Sequence, residues 1–326
     1  MTSEPHANGS AASASGKLDA AHEPELDPSF EVLEPALLRS PLVFSSPHSG
    51  NVYPRRFLER ARLDVAALRR SEDAFVDDLF GAVGALGAPL IRARFPRAYL
   101  DLNREPYELD PRMFEGRLPA FVNTRSMRVA GGLGTVPRVI GQAQEIYAAK
   151  LPVEEALGRI EKIYKPYHAR LSGLLARAQQ NFGLAVLVDC HSMPSGALLA
   201  SAGFPNPIRL VGLDAKAKAD FVVGDRHGTS CAAILVNVVE EELRRLGYSV
   251  RRNKPYAGGF ITEHYGNPPA HCHAMQIEVC RSLYMDEQTV SKGERFADVA
   301  AALTKVATAL AATVAALPTA LRAAAE

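Results

Sequence analysis

The chain has 326 residues, 37 Lys+Arg against 36 Asp+Glu, a formal net charge of +1, and 47% hydrophobic and 22% charged residues. That length suits one large α/β domain, and the balanced charge excludes the global basic surface of a nucleic-acid binder as well as an acidic excess. No apolar run near the ~20 residues that cross a bilayer is read from it, no charged-then-apolar leader opens it, and four scattered cysteines without a C-x-x-C pair fit a reduced, cytoplasmic setting.

Residues 1–29 are rich in Ala, Ser, Gly, His and Glu and are predicted to be a disordered tail, with a single domain over 30–326. Pro41–Ser46 reads as a short buried strand running into the turn Pro47-His48-Ser49-Gly50. Residues Leu63–Leu86 have a helical pattern in which Ser71-Glu72-Asp73 precedes the stripe Phe75, Val76, Leu79, Phe80, so Ser71 or Asp73 is a candidate cap. Pro89–Phe95 and Ala98–Asn103 alternate as two strands, and Arg104-Glu105-Pro106 ends the pattern. The stretch from Pro106 to Pro137 is a long irregular excursion of the kind that carries substrate loops. Its Gly131-Gly132-Leu133-Gly134 lacks the Lys-Ser/Thr of a phosphate loop and is read as a tight turn.

Ala143–Gln180 is a helical region interrupted at Pro152 and Pro166. Leu184–Cys190 is a central strand, because its continuous apolar run suits burial on both faces, and it leads into Asp189-Cys190-His191-Ser192. A loop at Phe204–Leu213, a strand at Phe221–Val223, a helix over Ser230–Leu246, a strand at Ser249–Arg252, a glycine-bearing loop at Tyr256–Thr262, a strand at Ala274–Val279 and an amphipathic helix over Val299–Ala316 complete the chain. The alternation predicts one α/β domain, a mostly parallel mixed sheet flanked by helices.

Sheets of this class gather their chemistry beyond strand carboxyl ends, and three strand ends here carry His48, His191 and Glu278. Two imidazoles and a carboxylate are the usual ligand set of a catalytic zinc, which lowers the pKa of its water and polarises a carbonyl. The acid ligand is open between Glu72 and Asp73, and either leaves Glu278 as general base. The competing reading is three separate polar strand caps. Arg97 is a candidate oxyanion stabiliser, and Asn103 with Arg104 a candidate carboxylate seat, against the ordinary surface ion pair that most arginines make. His264, His271 and His273 flank Pro268-Pro269 and read as loop residues, His168 as a helix-surface or hydrogen-bonded core residue, Cys190 and Cys280 as inert buried thiols, and Asp225-Arg226 as supporting or substrate-contacting groups.

Ser46-Pro47-His48-Ser49-Gly50, Ser71-Glu72-Asp73-Ala74-Phe75, Arg97–Pro106, Asp189–Ser195, Gly224-Asp225-Arg226, Lys254–Phe260 and Gln276–Tyr284 together resemble the N-formylglutamate amidohydrolase family, in order and over about Leu42–Asp286. The resemblance implies a zinc-dependent, carboxypeptidase-like hydrolase with one zinc ion, held by His48, His191 and an acid, and Glu278 as base. Three residues after the first histidine, where carboxypeptidases place their acid, stands Asn51, so Asp73 or Glu72 must substitute, and Asp73 is taken as the ligand. Asp101-Leu102-Asn103-Arg104 matches a motif of aspartoacylase, in the same wider group, which implies Arg97 at the oxyanion and Asn103 and Arg104 at a substrate carboxylate. Arg281 is a further expected clamp, and Asp189 is expected to orient an imidazole. The activity implied is hydrolysis of N-formyl-L-glutamate to formate and L-glutamate in histidine degradation, on a small-molecule substrate without nucleic acid or membrane. The alternatives are a deacylase of another N-acyl amino acid, or a non-catalytic binding protein on the same scaffold. The oligomeric state is left open.

Overall fold

The strand expected at the centre of the sheet is nine residues long, Ala185–Met193, and buried along its whole length. In this computed structural model residues 23–196 and 219–317 are described. The main sheet has seven strands: β1 (Phe30–Leu33), β2 (Leu42–Ser46), β3 (Leu90–Ala93), β4 (Ala185–Met193), β5 (Phe221–Gly224), β6 (Val250–Arg252) and β7 (Cys272–Cys280). Their spatial order is β1-β3-β2-β4-β7-β5-β6. Strands β3, β2, β4 and β7 run parallel. An antiparallel β1 closes one edge, and direction reverses between β7 and β5, with β6 parallel to β5. The sheet is therefore mixed, with the parallel strands in the middle.

Alternation along β4 divides two cores, as the strand's period of two requires. Ala185 and Leu187 point into one, with Tyr167, Leu171 and Leu174 of helix α2 (Lys165–Phe182). Val186 and Val188 point into the other, with helices α1 (Val76–Leu79), α3 (Ala233–Arg245) and α5 (Phe296–Ala316). A short α4 (Phe260–Tyr265) follows the loop after β6. Helix α5, 21 residues long, is apolar enough to cross a bilayer by length and composition, which corrects the expectation that no run reaches that size. Its alanines raise the apolar content, while Val299, Leu303, Val306, Leu310 and Val314, spaced three and four apart, pack it into the second core.

Other expectations change where tertiary contacts override the local pattern. The helix read over Leu63–Leu86 is broken into Val65–Arg69, α1 and a 3-10 segment Gly81–Leu86. The break lies at Ser71–Phe75, where Phe75 is left-handed (φ 63°) and the Asp73 N–H donates to the His48 carbonyl. Neither Ser71 nor Asp73 caps a helix: the Ser71 hydroxyl donates back to the Leu68 carbonyl, and Asp73 faces the site described below. Ala98–Asn103 is a turn-rich loop, not a strand, tied down by Tyr99 N–H to the Pro96 carbonyl and Asp101 N–H to the Thr135 carbonyl. Pro166 does not interrupt α2. It follows directly on a π-helical turn, Ile160–Tyr164, whose wider winding accommodates the proline. At the N-terminal side, Pro24–Leu26 is already a 3-10 turn with Leu26 in the core, so structure begins before Phe30. Residues 1–22 of the expected tail and the loop reading at Phe204–Leu213 lie outside the described residues.

Candidate metal centre and active site

His48 follows β2 on the turn begun by Pro47. The turn packs against the end of β3 so closely that a Cβ at Gly50 would overlap the backbone of Arg94 and Phe95. His191 lies within β4, and Asp73 enters from the break ahead of α1. The three are buried, and one ligand atom from each lies within 4.8 Å of the others. Asp73 Oδ2 is 3.0 Å from His191 Nδ1 and 3.4 Å from His48 Nδ1. The far nitrogens are anchored separately: His48 Nε2 donates to Asp101 Oδ1 at 2.8 Å, and His191 Nε2 to Asp189 Oδ2 at 2.7 Å. Both rings thus turn Nδ1 toward one centre while a carboxylate holds the opposite edge, the arrangement that fixes tautomer and orientation in metal-binding histidines.

The buried charges of this cluster are coupled. Burial opposes ionisation of Asp73, yet the His191 and His48 rings hold its carboxyl well below the usual range. Burial likewise opposes the Asp101 charge, and Arg104, Arg97 and His48 reverse it. Burial disfavours a charged His191, and Asp189 with Asp73 pushes it well above the ordinary histidine value. His48 Nδ1 is buried without a hydrogen-bond partner. A buried orphan nitrogen aimed at a carboxylate and a second imidazole fits a divalent cation.

Glu278 stands directly across from His191, its register partner in β7. Burial pushes it up to about 7, Asp73 adds to the rise, and His191, Arg97 and Arg281 counter it. Gln276, two residues earlier on the same face, donates to Glu278 Oε1 at 2.7 Å and accepts from the Gly259 N–H at 3.1 Å. Two cavities of ≈270 and ≈320 Å³ share Arg97, Arg104, Tyr256 and Glu278 in their walls.

The expected site residues divide accordingly. His48, Asp73, His191 and Glu278 converge, and Arg97 joins them, donating to Asp101 Oδ2 at 2.8 Å while lining both cavities. Glu72 turns away from the centre to accept from the Tyr53 hydroxyl at 2.6 Å and from Arg69, which leaves Asp73 as the carboxylate present. Two expected substrate contacts are otherwise engaged. Asn103 Oδ1 accepts from the Ile261 N–H at 2.8 Å, and its Nδ2 donates to Asp189 at 3.1 Å, so it braces the His191 side of the centre and lines neither cavity. Arg281 spends all three nitrogens, on Asp73 Oδ1, Ser192 Oγ and the Arg70 carbonyl, and so holds the Asp73 carboxylate in place from the wall of the ≈320 Å³ cavity. Arg104 lines both cavities, with Nε and Nη1 donating to the carbonyls of Leu133 and Asn103.

His264 stacks on Phe260, His271 occupies a left-handed turn, and His273 accepts from the Ala232 N–H, so none joins the centre. His168 bonds the Leu102 carbonyl and the Tyr265 hydroxyl. Asp225 accepts from the Gly228 N–H, and Arg226 pairs with Glu263. Burial pushes the Cys190 and Cys280 thiols up, against nucleophilic use. Residue-by-residue reading missed the roles of Asp101, hidden in an apparent strand alternation, and of Gln276, which the period of two from Glu278 would have revealed.

The N-formylglutamate amidohydrolase family model matches residues 40–285. N-formylglutamate deformylase of Pseudomonas putida is 29% identical over 255 residues, covering 76% of this chain and 83% of that protein. The deformylase of Pseudomonas aeruginosa is 28% identical over 261 residues, covering 79% and 87%. A crystal structure of N-formylglutamate amidohydrolase from Ralstonia eutropha JMP134 superposes with a TM-score of 0.79 at 38% identity, covering 88% of this chain and 98% of that one. The chain belongs to the N-formylglutamate amidohydrolase family and is a hydrolase acting on an amide bond.

Proposed function

We propose that the protein cleaves N-formyl-L-glutamate to formate and L-glutamate, using one zinc ion held by His48, Asp73 and His191. The carrying observation is that two buried Nδ1 atoms and Asp73 Oδ2 share one centre, with Glu278 across the strand pair from His191. Bound there, such an ion would supply Lewis acidity, lowering the pKa of water and polarising a carbonyl. Glu278, pushed up to about 7, takes the proton from the attacking water and returns it to the amine nitrogen as the C–N bond breaks. Water oxygen thus ends in formate, and the proton on the leaving amine. The Arg97 guanidinium, in the cavity wall beside Glu278, stands where negative charge develops on the formyl oxygen. A formyl group offers little surface for binding, so affinity comes from the glutamate carboxylates, for which Arg104, in the wall of both cavities, is a donor. The reaction suits the last step of a histidine-degradation route in the cytoplasm.

The test combines metal analysis of the purified protein with formate release from N-formyl-L-glutamate before and after chelation. Loss on chelation and return with zinc supports the proposal. Undiminished release from metal-free protein, or no release from zinc-loaded protein, overturns it.

A further inference from the structure

Three guanidiniums, those of Arg97, Arg104 and Arg128, line the ≈270 Å³ cavity that also contains His48, His191 and Glu278. Arg97 is committed to Asp101 at 2.8 Å. Arg104 uses Nε and Nη1 on backbone carbonyls, and its Nη2 stands 3.7 Å from Asp101 Oδ2, beyond a good hydrogen bond. Among the described residues, Arg128 has one charge contact, 3.8 Å to Glu108 Oε2. Burial, and then the neighbouring Arg97 and Arg128 charges, hold the Arg104 guanidinium below its ordinary value despite Asp101 and Glu108. Three guanidiniums share two carboxylates here, those of Asp101 and Glu108.

The turn at Gly131–Gly134, which has no phosphate-loop chemistry, joins two of these arginines. The Leu133 N–H donates to the Arg128 carbonyl at 2.8 Å, and the Leu133 carbonyl accepts from Arg104 Nε at 3.0 Å. Gly132, at φ 76°, supplies the left-handed residue the turn needs. Leu133 of the excursion therefore ties the Arg104 side chain to the backbone of Arg128. The side chains also differ in depth: Arg104 is 15% exposed, Arg97 26% and Arg128 34%. The most exposed arginine suits the substrate end farthest from the reacting carbon.

We infer that Arg128, with the free edge of Arg104, seats the side-chain carboxylate of the substrate and sets the preference for an acidic N-formyl amino acid. The inference rests on the function proposed above and adds its specificity determinant. Two guanidiniums at a carboxylate give charge-assisted, directional bonds that a neutral amide cannot replace.

The experiment measures kcat/KM of zinc-loaded wild type, Arg128→Gln and Arg128→Lys on N-formyl-L-glutamate and on N-formyl-L-glutamine, the neutral isostere. Arg128→Gln is expected to lower kcat/KM for the glutamate substrate about 30-fold, mainly through KM, and to leave the glutamine substrate within about threefold. Arg128→Lys should recover part of the loss. A parallel fall on both substrates, or an unchanged glutamate value, overturns the inference. Calorimetric titration with L-glutamate and L-glutamine reads the seat without turnover: wild type should prefer glutamate, and Arg128→Gln should lose that preference. Binding preference without formate release would overturn the proposed reaction and leave the seat standing. Release with no discrimination between the two ligands would overturn the seat alone.

Discussion

His191 and Glu278 are register partners on neighbouring parallel strands, so their side chains leave the sheet on the same face. One imidazole of the buried His48–Asp73–His191 centre and one buried carboxylate with a near-neutral pKa are thus fixed against each other by main-chain hydrogen bonds. Placing catalytic groups on rigid elements holds them near productive geometry.

Glu278→Gln keeps the shape and the Gln276 contact but removes the base. It is expected to lower kcat by about 10²- to 10⁴-fold with zinc content unchanged. Wild-type zinc content with wild-type kcat in this variant would remove Glu278 from the mechanism. A stability effect accompanies it. Burial raises the folded pKa from 4.5 to about 7, so the folded state favours the protonated acid, and wild type loses stability as pH climbs through that interval. The glutamine carries no such charge. Thermal unfolding of metal-free protein should therefore show the variant gaining on wild type between pH 5 and pH 8.

Asp101 and Asp189 each hold the Nε2 edge of one histidine, at 2.8 and 2.7 Å. Asp101→Asn and Asp189→Asn should each weaken zinc binding about 10- to 100-fold, read by competition with a chromophoric chelator. Unchanged affinity in both variants would separate these carboxylates from the metal centre.

Much of this was legible in the chain, for identifiable reasons. The run Ala185–Val188 is apolar on both faces because both faces of β4 are covered, and that alone marks a central strand. His48 and His191 stand out because each follows such a run. The break that delivers Asp73 was not legible. Phe75, Val76, Leu79 and Phe80 give a helical stripe whatever the preceding residues do, and the interruption is set by the His48 carbonyl and Arg281, distant in sequence. Asn103 and Arg281 have the right chemistry for a substrate carboxylate. Their direction is decided by Ile261 and Asp73, which no local pattern encodes.

Gly259 is required by close approach: a Cβ there would overlap the Asn103 carboxamide. Gly259→Ala is expected to destabilise by about 1–3 kcal/mol and to displace Asn103 from Asp189. Denaturant unfolding gives the first effect and the chelator competition gives the second. Wild-type values in both would show that the alanine is accommodated and that the packing against Asn103 is loose.

His168 supports the same region from beneath. Nε2 donates to the Leu102 carbonyl and Nδ1 accepts from the Tyr265 hydroxyl, each at 2.9 Å, fixing the loop between Asp101 and Asn103. Burial depresses its pKa from 6.5 to about 4, with the Leu102 carbonyl opposing and His264 adding to the drop. The folded state therefore holds it neutral, while the unfolded chain protonates near 6.5. The stability linked to this residue is fully present above pH 6.5 and is lost as pH falls toward 4, by about 3 kcal/mol over the whole interval. His168→Gln retains hydrogen-bonding capacity without titrating. Denaturant unfolding from pH 7 to pH 4.5 should then show a shallower decline in the variant than in wild type, and parallel curves would remove His168 as the source of that acid sensitivity.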